Sequence, residues 1–224
     1  MTHSVLSSFV SRGALAIAAA MLSACAAETP EDTDDLDAVD AEVTGVAEQA
    51  FSGCKAYRRG ESGYVADATL WQATPTYNTG NISLIYTGNS HAGFRQALLY
   101  FDISDIPAGA RIDSAVLYLS ELYKASGTMI DLHAITEPWA ENTVTWNNFN
   151  QAFDPTPVTT FFAWGGGTAQ IRLEGLVKSW IDGEIENQGL LLQEPTMMAS
   201  SFRSSEYDDV LRRPRLKVCY TTNP

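Results

Sequence analysis

Between Arg95 and Glu121 apolar and polar positions alternate with a period of two, in two runs separated by Ile106-Pro107-Ala108-Gly109. In the first run Ala97, Leu99 and Phe101 share one parity, and Gln96, Leu98, Tyr100 and Asp102 share the other. In the second, Ala115, Leu117 and Leu119 oppose Val116, Tyr118 and Ser120. Alternation of this kind predicts β-strands, and the Pro/Gly break between the runs predicts that the two strands pair. Because both parities carry apolar residues, the pair is expected at the centre of a sheet, with its tyrosine side partly wet.

Similar runs recur at short intervals: Tyr64 to Ala68, Ile82 to Thr87, Met129 to Thr136, Val158 to Trp164, Ala169 to Leu173, Gly189 to Gln193, Met198 to Ser204 and Arg215 to Tyr220. Turn residues separate them, most extensively in the Trp71–Gly80 loop. One segment departs from the pattern. Leu176, Val177, Trp180 and Ile181 repeat at helical spacing and stop at Gly183, which predicts one short amphipathic helix. Many short strands and one helix within residues 51–224 predict a single all-β domain, a jelly-roll-like β-sandwich large enough to bury its own core.

The first 50 residues follow a different logic. Arg12 precedes a short apolar run, Gly13 to Leu22, and Leu22-Ser23-Ala24-Cys25 has the form of a lipobox. Residues 1–25 are therefore predicted to be a lipoprotein-type signal peptide, with Cys25 as the lipidation site. The alternative is an ordinary secretory peptide cut nearby, and either form exports the chain. Residues 26–50 contain nine acids, no Lys or Arg and no aromatic ring. Such a segment cannot bury enough surface to offset chain entropy, so a disordered acidic linker is expected. It holds most of the formal net charge of −13, leaving 18 acidic against 13 basic residues in 51–224. Nucleic acid is excluded as a partner on this balance. Membrane contact is expected only through the N-terminal lipid. With Cys25 assigned to lipid, Cys54 and Cys219 remain as an even pair in an exported domain, and a disulfide between them is predicted, the alternative being two buried thiols.

Several stretches carry a resemblance to a known family. They are LLYFDIS followed by DIPAGARIDSAVLYL (Leu98 to Leu119), ITEPWAENTVTWNNF (Ile135 to Phe149), LVKSWIDG (Leu176 to Gly183), NQGLLLQE (Asn187 to Glu194), FRSSE (Phe202 to Glu206) and RPRLKVCY (Arg213 to Tyr220). In this order they resemble the DNRLRE domain, which is grouped with the family 96 carbohydrate-binding modules. The resemblance spans roughly Cys54 to Tyr220. It implies a β-sandwich jelly roll on exported proteins, with polysaccharide as the ligand of some members. Several members carry Arg at or near the positions that are Tyr100 and Tyr118 in this chain.

Catalytic signatures are scarce. His91 and His133 are the histidines outside the signal peptide, and His133 lies in an apolar run, where a hydrogen-bonded structural role is expected. There is no HExxH and no G-x-S-x-G. Asp102, Asp105, Glu137, Glu141, Glu174 and Glu194 supply carboxylates for a glycosidase pair, although turn-capping is the commoner role at strand ends. Asp102 and Asp105 are also the candidate oxygen ligands for Ca²⁺; no other cofactor is indicated. Trp164-Gly165-Gly166-Gly167 reads as a flexible connection, and Trp139 and Trp146 as rings filling a corner of the core, with sugar stacking as the alternative. The predicted ligand surface is the tyrosine side of the central strands: Tyr100 and Tyr118, with Trp71 for stacking and Arg95, Arg172 and Lys217 among the donors. A non-catalytic, lipid-anchored module that binds polysaccharide is expected, the alternative being a structural or adhesion domain with no small ligand.

Overall fold

The computed structural model describes residues 50–222, except 92, 125–127 and 196–198. The predicted signal peptide, Cys25, nearly all of the acidic linker and Met198 lie outside the described residues. Eleven strands are described: β1 (Ser52–Tyr57), β2 (Val65–Trp71), β3 (Leu84–Ser90), β4 (Gly93–Phe101), β5 (Arg111–Lys124), β6 (Thr128–Ala134), β7 (Thr159–Ala163), β8 (Gly167–Arg172), β9 (Leu190–Gln193), β10 (Ala199–Arg203) and β11 (Arg215–Thr221). Two helices join them, α1 (Trp146–Phe149) and α2 (Glu174–Ile181).

Every ladder is antiparallel, and the strands form one hydrogen-bonded path, β1-β11-β5-β10-β3-β4-β9-β6-β7, with β2 also on β4 and β8 also on β5. The path folds on itself as an all-β sandwich. One layer is built on β5, flanked by β11 and β8; the other is β2-β4-β9-β6-β7; β10 and β3 run between them. Their inner faces meet in one core that includes Ala97, Leu99 and Phe101 of β4, Ala115, Leu117 and Leu119 of β5, and Leu190 and Leu192 of β9. Helix α2 closes this core with Leu176, Val177, Trp180 and Ile181, the four residues of the helical stripe.

The predicted pairing of the two central runs does not form. β4 pairs with β2, β3 and β9, whereas β5 pairs with β8, β10 and β11. The reason lies in the connection: Ile103, Ile106 and Ala110 are buried in the main core, so the chain crosses from one layer to the other beneath its own apolar residues. The outer side of β4 is not a wet face either. Leu98, with Ala68, Leu70 and Leu191, packs against Ile135, Val144 and Phe149 in a second core. The long connection after β6 thus forms a lid over this layer. It is shaped by Thr145, whose side chain accepts from the Asn148 N–H, and by Asn148, whose Oδ1 accepts from the Thr145 N–H at 2.7 Å. Gly189 permits the approach of β9 to β4, since a Cβ there would stand 2.3 Å from the Leu99 carbonyl oxygen.

Strand β1, which no alternation announces, is held by six rungs to β11, and Cys54 stands opposite Cys219. The two are joined as a disulfide 165 residues apart in sequence. Closing so long a loop is worth about 5 kcal/mol at most in the chain-entropy account. Reduction, or Cys54→Ala, is expected to lower Tm by on the order of 10 °C, followed by calorimetry with and without reductant. An unchanged Tm overturns the expectation.

Candidate functional site

The six predicted ligand residues fall in three places. Tyr118, Arg172 and Lys217 come together on the outer face of the β5 layer. Val116 stands opposite both Lys217 and Arg172, and Tyr118 opposite both Arg215 and Gln170, so two adjacent rows cross three strands. The Arg215 guanidinium lies 4.1 Å from the centroid of the Tyr118 ring. The Arg215 Nε is buried without a partner, so the donors this stacked guanidinium can still offer are its Nη groups. Among the described cationic side chains, Arg172, Arg215 and Lys217 are the three with no hydrogen bond or ion pair. The others are engaged: Lys55 with Asp105, Arg58 with Glu61, Arg111 with Asp113, Lys178 with Asp182 and Arg212 with Asp209. Arg203 donates to the Glu121 carbonyl and Arg213 to those of Tyr207 and Arg59.

Arg95 and Trp71 are register partners at one end of the β2–β4 ladder. The Arg95 guanidinium lies 5.7 Å from the Trp71 ring and 5.0 Å from Tyr86, and donates to Ser90 Oγ at 2.7 Å. Burial lowers its pKa. Its donors face inward to the chain rather than to a ligand. Tyr100 lies five residues further along β4, about 17 Å away, with its ring 6.1 Å from that of Tyr64. Tyr64, Tyr100, Ala66, Trp139 and Gln188 line a hollow of about 270 Å³. Tyr64 and Trp139 are the aromatic residues that alternation does not assign to this place, because the lid that brings Trp139 there is a long-range feature.

Among the described residues, Asp67, Glu141 and Glu206 form the group that could hold a metal ion, with ligand oxygens all within 4.8 Å of one another. They fit a cation poorly as an open site, because Arg59 already stands among them. Its Nη1 donates to the Glu141 oxygens at 2.7 and 2.9 Å and pairs with Glu206. Asp67 accepts from the Ser205 N–H at 2.6 Å, and the Asp67 N–H donates to Glu141 at 2.9 Å. Gly80 lets the next segment close over the cluster, since a Cβ there would be 2.2 Å from the Glu141 carbonyl oxygen. The expected calcium ligands are elsewhere and are used by the chain: Asp102 accepts from the Ser104 N–H, and Asp105 accepts from Lys55 and from the Tyr57 hydroxyl at 2.6 Å. Of the other carboxylates, Glu137 lines a cleft beside Trp139, Glu174 opens α2, and Glu194 is fully buried. His133 is buried and its Nδ1 is 2.8 Å from the Asp154 carbonyl oxygen, the structural role expected of it.

The model of carbohydrate-binding module family 96 matches residues 61–218. Strand β1, Arg59 and both half-cystines lie outside that span. No curated protein matches the chain.

Burial pushes the Asp67 carboxyl well up from its usual range, and the charge of Glu206 adds to it; Glu206 is raised by burial and by Glu141. A carboxyl raised on folding contributes stability that is complete below the unfolded value, about 4, and is lost as pH rises through the folded value. Asp67→Asn keeps an acceptor for Ser205 and removes the charge. Its Tm relative to wild type is expected to climb by several degrees from pH 4 to pH 7. A difference that does not move with pH overturns this account.

Proposed function

Since the chain belongs to carbohydrate-binding module family 96, we propose that it is a non-catalytic module that binds an acidic polysaccharide along the outer face of the β5 layer. The observation that supports this most is the gathering around Tyr118, on one sheet face, of Arg172, Arg215 and Lys217, the described cations with no hydrogen bond or ion pair. Arg172 and Lys217 flank β5, two strand spacings or about 10 Å apart. That is comparable with the spacing of carboxylates on alternate sugars of an extended uronate chain. Each carboxylate would accept charge-assisted hydrogen bonds from one cation, while the Tyr118 and Arg215 stack supports the intervening sugar ring.

We also assign the chain to the cell envelope. The disulfide fits an oxidising compartment, and the Leu22–Cys25 lipobox would anchor the mature chain through lipid, with residues 26–50 as spacer. Cys25→Ser is expected to abolish acylation, read as loss of the lipid mass on the intact protein. A wild-type protein without an acyl chain overturns the anchor and leaves simple secretion.

Binding is tested on immobilised polyuronates and neutral glycans by calorimetry and affinity electrophoresis. Arg172→Ala and Lys217→Ala are each expected to weaken polyuronate binding by ~1–2 kcal/mol with unchanged Tm, and added salt is expected to weaken wild-type binding. If no polyuronate binds, or if both variants bind like wild type, the cationic face has no such ligand and a structural or adhesion role takes its place.

A further inference from the structure

On the other layer, Trp139 stands between two depressions that the cationic face does not include. The smaller, of about 270 Å³, has Ala66 as its floor and Tyr64, Tyr100, Trp139 and Gln188 as its walls. Ala66 and Tyr100 are register partners, so a small side chain lies beside a tyrosine ring. The Trp139 Nε1–H donates to the Gln188 carbonyl at 2.9 Å, which sets the angle of the indole. The larger cleft, of about 740 Å³, is lined by Trp139 together with Glu137, Thr143, Asn148, Phe149 and Asn150, among others. Its wall is held in an unusual shape: Asn150 and the next residue, Gln151, both have positive φ, 53° and 54°. Two adjacent non-glycine residues in that region are uncommon and persist only where the surroundings hold them.

We propose that this double depression is a second carbohydrate site, which takes a neutral pyranose oligosaccharide lying across Trp139. The Tyr64 and Tyr100 rings, tilted 56° to each other, and the Trp139 indole line the smaller hollow, whose size suits a single pyranose ring with its C–H faces against them. Glu137, Asn148 and Asn150 offer acceptors and amide donors to hydroxyls in the larger cleft. Burial raises the pKa of Tyr64 and Tyr100, so their hydroxyls stay protonated and able to donate. No cation lines either depression; the charged residue lining them is Glu137, Asp102 acts on the Tyr100 hydroxyl, and at Tyr64 the charge of Arg59 is opposed by Glu141 and Glu206. A uronate is therefore repelled here and a neutral sugar is not, the opposite preference to that of the cationic face. The site does not depend on the acidic-polysaccharide function.

The test uses the full chain with cellohexaose, xylohexaose and mannohexaose as neutral probes, polygalacturonate as the acidic one, and calorimetry plus tryptophan fluorescence as readouts. Trp139 also packs against the second core, so it is left intact. Tyr64→Ala is the principal variant, because Tyr64 is 54 % exposed, and Tyr100→Ala is the second. Wild type is expected to bind at least one neutral hexaose with a change in tryptophan emission. Tyr64→Ala is expected to weaken that binding about 10-fold at unchanged Tm and to leave polygalacturonate binding as it was. Arg172→Ala is expected to leave the neutral sugar untouched. The proposal fails if no neutral hexaose binds at millimolar concentration, if Tyr64→Ala binds like wild type, or if Arg172→Ala removes neutral and acidic binding together.

Discussion

Strand β4 is buried on both faces, and most of the molecule follows from that demand. Its inner residues Ala97, Leu99 and Phe101 need the opposite layer; its outer Leu98, wholly buried, needs a second cover. The connection from Ile135 to Phe153 supplies it, packing Ile135, Val144 and Phe149 over Leu98 and Leu191. The same course carries Trp139 to Tyr64 and Tyr100 and carries Glu141 to Arg59 and the Asp67 amide. An aromatic depression and a buried ionic cluster are thus by-products of hiding one leucine row from water.

Alternation located ten of the strands and the α2 stripe, because a two-residue or helical period records which side chains share a face. It does not record what lies on that face, so Tyr100 and Tyr118 look equivalent in sequence and belong to different layers. The crossing between β4 and β5 had its own trace in Ile103 and Ile106, too apolar for a hairpin turn in water. Strand β1 has little apolar content and owes its place to β11 and the disulfide, which a local window does not register. Arg172 and Lys217 meet only through their shared neighbour Val116, a product of long-range register. Asp67 left a clearer signal, a single acid within Val-Ala-Asp-Ala-Thr-Leu, where a strand buried on both faces has to find it a partner.

Charge is distributed with more structure than the total of −13 conveys. Among the described side chains most cations are consumed by nearby carboxylates or carbonyls, Arg95 packs against Trp71 and Tyr86, and Arg172, Arg215 and Lys217 collect on one face. The opposite layer keeps aromatic rings and an acid. A protein that is acidic as a whole can therefore offer two surfaces of different electrostatic character, because short-range pairing decides local potential and screening confines it.

The bridge between Cys54 and Cys219 has a mechanical consequence. The chain enters β1 beside the point where β11 leaves, with the Thr222 N–H donating to the Phe51 carbonyl at 2.8 Å. Tension applied ahead of residue 50 would pull β1 away from β11 one rung at a time, the weak direction for a ladder. It would meet a covalent stop after the rungs of Ser52 and Gly53. Beyond that stop the load enters β11, the strand that bears Arg215 and Lys217 and lies along β5 for seven residues. A pull on the chain ahead of β1 would thereby be delivered through a covalent bond to the strand that bears Arg215 and Lys217, without first unravelling the sheet edge.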